Sequence, residues 1–346
     1  MPADAPSTAI VWTSADRIDA ARKLVTSAGL KVVAAGAPEP KDASDAAEAF
    51  GVDVRTDLRA SLASEPCSAF LLLTPGAFGA SPERRDGDAI NAAFERGAAV
   101  VSAEPIPVSG DAASAGNWLK GQEGQRAIDR MHRMPDPGHG VGFREADELI
   151  GSLDNGYAAI HAATIRCTGS PPQGSAGARL LDACTLLVRF VGTPELVDAA
   201  FVGTTHGAET RAEPPTLRGL SGLFAITARF GDGRAASIVA SDRFDTHVRD
   251  VDLVLDEGVL VVRPNGFRWN DTTGKARDAA GDPEKYMSWN EAAAGSLTNA
   301  LDALDARVAT PRRDPLPPLA IAHAALLSAT TGQPESPAVH LRTLGV

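Results

Sequence analysis

The chain has 346 residues, 44% of them hydrophobic and 22% charged, long enough for about two domains with cores of their own. Its formal net charge of −11, with no basic run, argues against nucleic acid and anionic membrane surfaces as partners. Cys67, Cys167 and Cys184 are odd in number and far apart, which suggests neither a disulfide framework nor a zinc site. Seven dispersed histidines make a metal centre improbable. No charged start precedes an apolar segment, and no apolar run reaches roughly 18 residues. A cytoplasmic protein without a membrane span is expected.

Taken in order, the elements alternate. Residues 9–12 form a short apolar strand, 16–28 a helix stopped by Gly29, 31–35 a second strand and 45–50 a helix. Residues 69–74 form a fully apolar strand that Pro75 ends. The stretch from Asn91 to Pro107 repeats the unit: a helix, Gly97 as its left-handed stop, a buried strand over 98–101, then Pro105 and Pro107. Alternation of this kind specifies parallel βαβ units and a doubly wound sheet. In such a sheet ligands bind outside the carboxyl ends of the strands, where Ala103, Glu104 and Pro105 fall. Residues 108–126 read as a polar helical crossover and 127–133 as a strand leading into a second domain.

The second half is richer in strands. A helix over 143–153 and a turn at Asn155-Gly156 precede a strand over 157–167, and a helix over 180–191 ends at Gly192. Strands follow at 197–205, 223–230, 234–241, 248–255 and 259–262, with hairpin turns at 231–233 and 256–258. Closing helices cover 288–308 and 319–330. The expected architecture is an N-terminal Rossmann-like domain over 1–130 and a C-terminal α+β domain over 131–346. The latter carries a large, mostly antiparallel sheet with helices on one side, and its closing helices are placed to pack back on the first domain.

Several stretches resemble the glucose-fructose oxidoreductase and inositol dehydrogenase (Gfo/Idh/MocA) family along nearly the whole chain. Where that family ends its segment in Glu-Lys-Pro, with the lysine beside the nicotinamide, this chain reads Ala103-Glu104-Pro105. Glu104 thus stands at the lysine position. Thr74-Pro75 matches the family's cofactor-contacting Thr-Pro, but Gly79 occupies the place of a histidine four residues on. The first crossover, 12–17, holds Thr13 and Ser14 where the family has dinucleotide glycines. Ala35-Gly36-Ala37 replaces the acidic ribose-binding residue, and Asp16 reads as a helix N-cap. Aligned on Gly192-Thr-Pro194, the family's aspartate and histidine correspond to Ala178 and Asp182. Shifting the frame makes Asp182 the aspartate and Leu186 the histidine. No lysine lies between Lys41 and Lys120, or between Lys120 and Lys275.

The resemblance therefore implies the fold and places Thr13, Ser14, Thr74, Pro75, Glu104 and Pro105 at cofactor positions. It also implies NAD or NADP, and a sugar- or polyol-like ligand, where the family function is retained. The joint absence of glycines, lysine and histidine leads instead to a protein without nicotinamide redox chemistry, expected to bind no cofactor and to act as a binding or partner subunit. An active, divergent oxidoreductase is one alternative. A lyase or hydrolase using Glu104 and Asp182 as paired carboxylates is another. His161 reads as a sheet histidine sharing a face with Ala163 and Ile165, while His206, His247 and Arg249 line a polar pocket or a subunit interface. Ala236, Ile238 and Ala240, with Val251, Leu253 and Leu255, supply apolar residues at alternate positions whose face the sequence leaves open; an exposed apolar face would serve a homo-oligomer, or a hetero-oligomer with a related subunit.

Overall fold

The computed structural model describes residues 7–80, 86–109, 112–113, 118, 121–205, 216–305 and 314–343; His206 and Lys120 lie outside them. The chain divides into two compact units, Met1–Asp136 with Trp289–Arg313, and Pro137–Ser288 with Asp314–Val346. The division falls after Asp136, and of the closing helices one joins the first unit and the rest the second.

The first unit is built on six parallel strands in the order β3-β2-β1-β4-β5-β6. They are β1 (Thr8–Trp12), β2 (Lys31–Gly36), β3 (Asp53–Arg55), β4 (Ala69–Leu72), β5 (Ala99–Ser102) and β6 (Met131–Arg133). β4 and β5 are buried along their whole length, and a strand covered on both faces needs a continuous apolar run rather than alternation. Ala9, Val11, Leu71 and Val101 share one core with Leu24 of helix α1 (Ile18–Ser27) and with Trp289, Ala293 and Leu297 of a late helix, Trp289–Asp305. Each such large side chain withdrawn from water contributes about 1.5–3 kcal/mol. Helix α2 (Pro40–Phe50) packs on β2, and α3 (Leu58–Ser64), α4 (Asp86–Glu95) and α5 (Gly121–Arg130) pack in succession.

The second unit holds an eight-stranded sheet in the order β14-β13-β12-β11-β7-β10-β9-β8, antiparallel except for the β7–β10 pair. Its strands are β7 (Ile160–Thr168), β8 (Leu196–Thr205), β9 (Leu220–Arg229), β10 (Ala235–Ser241), β11 (Val248–Leu255), β12 (Gly258–Arg263), β13 (Gly266–Asp271) and β14 (Ala276–Gly281). Helix α6 (Val141–Ser152) lies on β12 and β13, and α7 (Ala176–Phe190) on β7, β9 and β10. Gly142 permits the first contact, since a Cβ there would stand 2.1 Å from the Arg263 carbonyl oxygen. Counting the first unit's Trp289–Asp305 as α8, helix α9 (Leu316–Thr331) packs on β8 and α7, and α10 (Pro337–Thr343) on α9.

Several expectations change. Residues 127–130 end helix α5 rather than begin a strand. β3, α3, β13 and β14 carry no strong sequence signal and were not anticipated. Asp16 is not an N-cap: it lies within a 3-10 turn over Ala15–Arg17 whose cap position is Ser14. His161 does not share a face with Ala163 and Ile165. The β7–β11 register skips it, so Ile160 and Ala162 pair with successive residues and His161 turns outward to Asp256. The face of the two apolar strand sets, left open by the sequence, is the covered one. Ala236, Ile238, Ala240, Val251, Leu253 and Leu255 are all buried, on the face α7 covers. The opposite face presents Thr164 bonded to Ser237 and the ion pairs of Arg166 and Arg263 with Asp250.

Candidate functional sites in the two units

In the first unit, sheet order reverses between β1 and β4, which makes the carboxyl ends of β1, β4 and β5 the ligand crevice of this architecture. The turn after β1 is tied to its neighbours. The Thr13 amide donates to the Gly36 carbonyl at 2.8 Å, the Ser14 amide to Thr74 Oγ1 at 3.1 Å, and the Arg17 amide to the Ser14 carbonyl at 3.1 Å. The Ser14 and Thr74 hydroxyls lie 2.8 Å apart. A pyrophosphate cradle needs such amides pointing outward, and here three already bond within the protein.

Arg17 then reaches across the end of β4. Its Nη1 donates to the Leu73 carbonyl at 2.5 Å and stands 2.6 Å from Glu104 Oε1 beyond β5. Both side chains are largely buried, at 12% and 6% exposure. Two further contacts narrow the same end of the sheet. The Trp12 ring lies so close to Gly36 that a Cβ on the glycine would meet it at 2.3 Å, and a Cβ on Gly76 would meet the Pro38 ring at 2.6 Å. The loops after β2 and β4 therefore touch. Pro75 and Pro105 are buried beside them. Behind, the buried Asp86 carboxylate accepts from Arg59 and from the Gly79 amide, fixing the loop after β4.

In the second unit, Asp182 sits on the inner face of α7. Its Oδ2 is 2.6 Å from Arg249 Nη2 on β11 and 3.7 Å from Arg179 Nη1, one turn earlier on the helix. The i,i+3 spacing puts Arg179 and Asp182 on one side of α7. Arg249 faces Cys167 in the β7–β11 register. Arg179 donates to the Gln173 carbonyl at 3.0 Å and lies against Gly169, where a Cβ would meet its guanidinium at 2.7 Å. His247 immediately precedes β11, two residues from Arg249 and hence on its side of the strand. It is 6% exposed, and neither ring nitrogen makes a hydrogen bond among the described residues. Burial first, then the two guanidiniums, hold its pKa well below the usual imidazole value.

Glu104 and Asp182 thus belong to different units, and each has guanidinium partners within its own. Arg17 and Arg179 were missed in the sequence. Arg17 carried a signal, as a cation in the very turn that should bind phosphate. Arg179 lay three residues before a named carboxylate. Among the described residues no group of three metal-binding side chains occurs and no helix is long and apolar enough to cross a membrane. Burial pushes the Cys67 thiol up to about 12 and raises Cys167 and Cys184 as well, so these cysteines are inert at neutral pH.

No protein-family model matches the chain, and no curated protein matches it in sequence. Solved structures do match its fold. An oxidoreductase from Agrobacterium radiobacter, solved with NAD+, L-tartaric acid and magnesium, superposes with a TM-score of 0.63 at 13% identity, over 97% of this chain and 99% of that one. A putative myo-inositol dehydrogenase from Sinorhizobium meliloti 1021 gives 0.61 at 16% identity, over 95% and 99%. A levoglucosan dehydrogenase, solved with NADH and levoglucosan, gives 0.63 at 12% identity, over 96% and 99%. At these identities the likeness concerns the fold alone: the chain shares the two-unit architecture of these three structures.

Proposed function

We propose that this protein keeps the oxidoreductase fold without nicotinamide chemistry and acts as a binding protein. The observation that carries the reading is the Arg17–Glu104 pair, 2.6 Å apart across the end of β4. In an active relative this place would be left to the cofactor, with a lysine where Glu104 stands. The engaged amides of Thr13, Ser14 and Arg17 and the contact of Pro38 with Gly76 point the same way. Fold by itself does not decide between activity and its loss, because function resides in the site.

The second reading, an active NAD(P)-dependent oxidoreductase of divergent site, is favoured by neighbours solved with NAD+ and NADH. It requires Arg17 to leave Glu104. A fluorescence titration with NADH and NADPH separates the two: the closed crevice predicts a Kd no tighter than ~1 mM for either. Micromolar binding of either dinucleotide would establish the second reading instead. The paired-carboxylate reading gains nothing, since Glu104 and Asp182 each face arginines of their own unit.

A further inference from the structure

Side chains alternate across a strand, so the face of the second unit's sheet opposite α7 is fixed by the register. Large hydrophobic side chains are concentrated on it. Of the nine that stand exposed among the described residues, Val202 on β8 and the cross-strand pair Val254 and Val259 on β11 and β12 belong to this face. Tyr286 stands beside Arg166 of the same face and is exposed as well. The charges of the face form a chain. Arg166 on β7 pairs with Asp250 on β11, Asp250 with Arg263 on β12 at 2.9 Å, and Arg263 with Asp252 on β11 at 2.8 Å. The inner two are covered, whereas the ends are open: Arg166 is 48% exposed and Asp252 41%. One end is a cation and the other an anion. Arg166 faces Asp250 in the register and Asp252 faces Thr164, so the two ends are diagonal neighbours, about 7–8 Å apart.

We infer that this face is the interface for a second copy of the chain, joined about a two-fold axis that runs between Arg166 and Asp252. A two-fold interface is isologous, so what one residue meets, its mate meets in return. An axis midway between a cation and an anion carries each onto the place of the other. Arg166 of each copy then meets Asp252 of the other, and the contact forms twice. An acidic or a basic partner surface would match one end of the chain and oppose the other, which is why the observations favour a second copy. The size agrees. Eight strands of at least six residues, about 4.8 Å apart with a rise of about 3.3 Å per residue, present roughly 750 Å² per copy. The two copies together bury about 1,500 Å², within the range of about 1,200–2,000 Å² of stable interfaces. Val254, Val259 and Tyr286 supply the apolar surroundings that exclude water from such a pair. The inference concerns the second unit alone and does not depend on the state of the first unit's crevice.

The test is sedimentation equilibrium of the full-length protein at micromolar concentration. It should give about 72 kDa, twice the 35.8 kDa of the chain. Arg166→Glu and Asp252→Arg each bring like charges together twice and should weaken the dimer by about tenfold or more. Mixed in equal amounts, the two variants restore both cross-pairs and should form a heterodimer. Val254→Arg touches no ion pair and should also give monomer, so it serves should either charge variant fail to fold by circular dichroism. A wild-type protein of 35.8 kDa alone overturns the inference. So does a dimer that Val254→Arg leaves intact, or a mixture of folded Arg166→Glu and Asp252→Arg that stays monomeric.

Discussion

The two units treat a buried carboxylate in opposite ways. In the first, Glu104 meets Arg17, one charge against one, across the strand ends where a ligand would otherwise lie. In the second, Asp182 meets both Arg249 and Arg179, and the ring of His247, two residues before Arg249, makes no hydrogen bond among the described residues. In the ion pairs described, one guanidinium faces the first carboxylate and two face the second. A buried ion pair is weak testimony for stability, because desolvation offsets its attraction. What it does decide is which places stay electrostatically satisfied without a ligand.

The largest effect should follow from breaking the cluster. Asp182→Ala leaves two guanidiniums buried together and should cost about 3–5 kcal/mol, read from the shift in urea midpoint at constant m-value. A loss below about 1 kcal/mol would mean that the pairing is far more solvated than the structure has it. Arg17→Ala removes the guanidinium that Glu104 meets at 2.6 Å, so about 3 kcal/mol is expected. Replacing both residues by Met should recover most of that loss, and a double-mutant cycle gives the coupling directly. Two additive single losses would break the comparison, since the pair would then not act as a unit.

Gly36→Ala tests the crevice without touching a charge. Its Cβ would come within 2.3 Å of the Trp12 ring and 2.5 Å of the Arg55 carbonyl, and overpacking of this kind typically costs about 1–3 kcal/mol. An unchanged melting temperature would show that the strand ends have room that a cofactor could use. The smallest effect is a pH dependence. Unfolded, His247 takes up its proton near pH 6.5. Folded, burial and the neighbouring guanidiniums hold its pKa well below that. Between the two values only the unfolded chain binds the proton, so the contribution is fully present above about pH 6.5 and is lost as pH falls. Urea melts at pH 7.5 and 5.5 should show a smaller acid loss for His247→Leu than for the wild type. Equal losses would place another group behind the acid sensitivity.

By itself the sequence determined the architecture, because the signals involved are local and repeated. Apolar runs such as 69–72, glycine stops such as Gly97 and prolines at strand ends set the parallel units, and alternation with hairpin turns set the antiparallel sheet. The weak elements escaped it: β13 and β14 are short, partly polar and close to the sheet edge, and β3 is three residues long. The sequence also singled out Glu104 and Asp182. Only the tertiary structure decided what they meet. Arg17 and Glu104 are 87 residues apart in the chain, and Asp182 and Arg249 67 apart. No periodicity carries information about which cation crosses a strand end to which acid. The face taken by Ala236, Ile238 and Leu253 was likewise undecided, since a period of two gives alternation but not direction. The helix α7, packed on one side of the sheet, settled it.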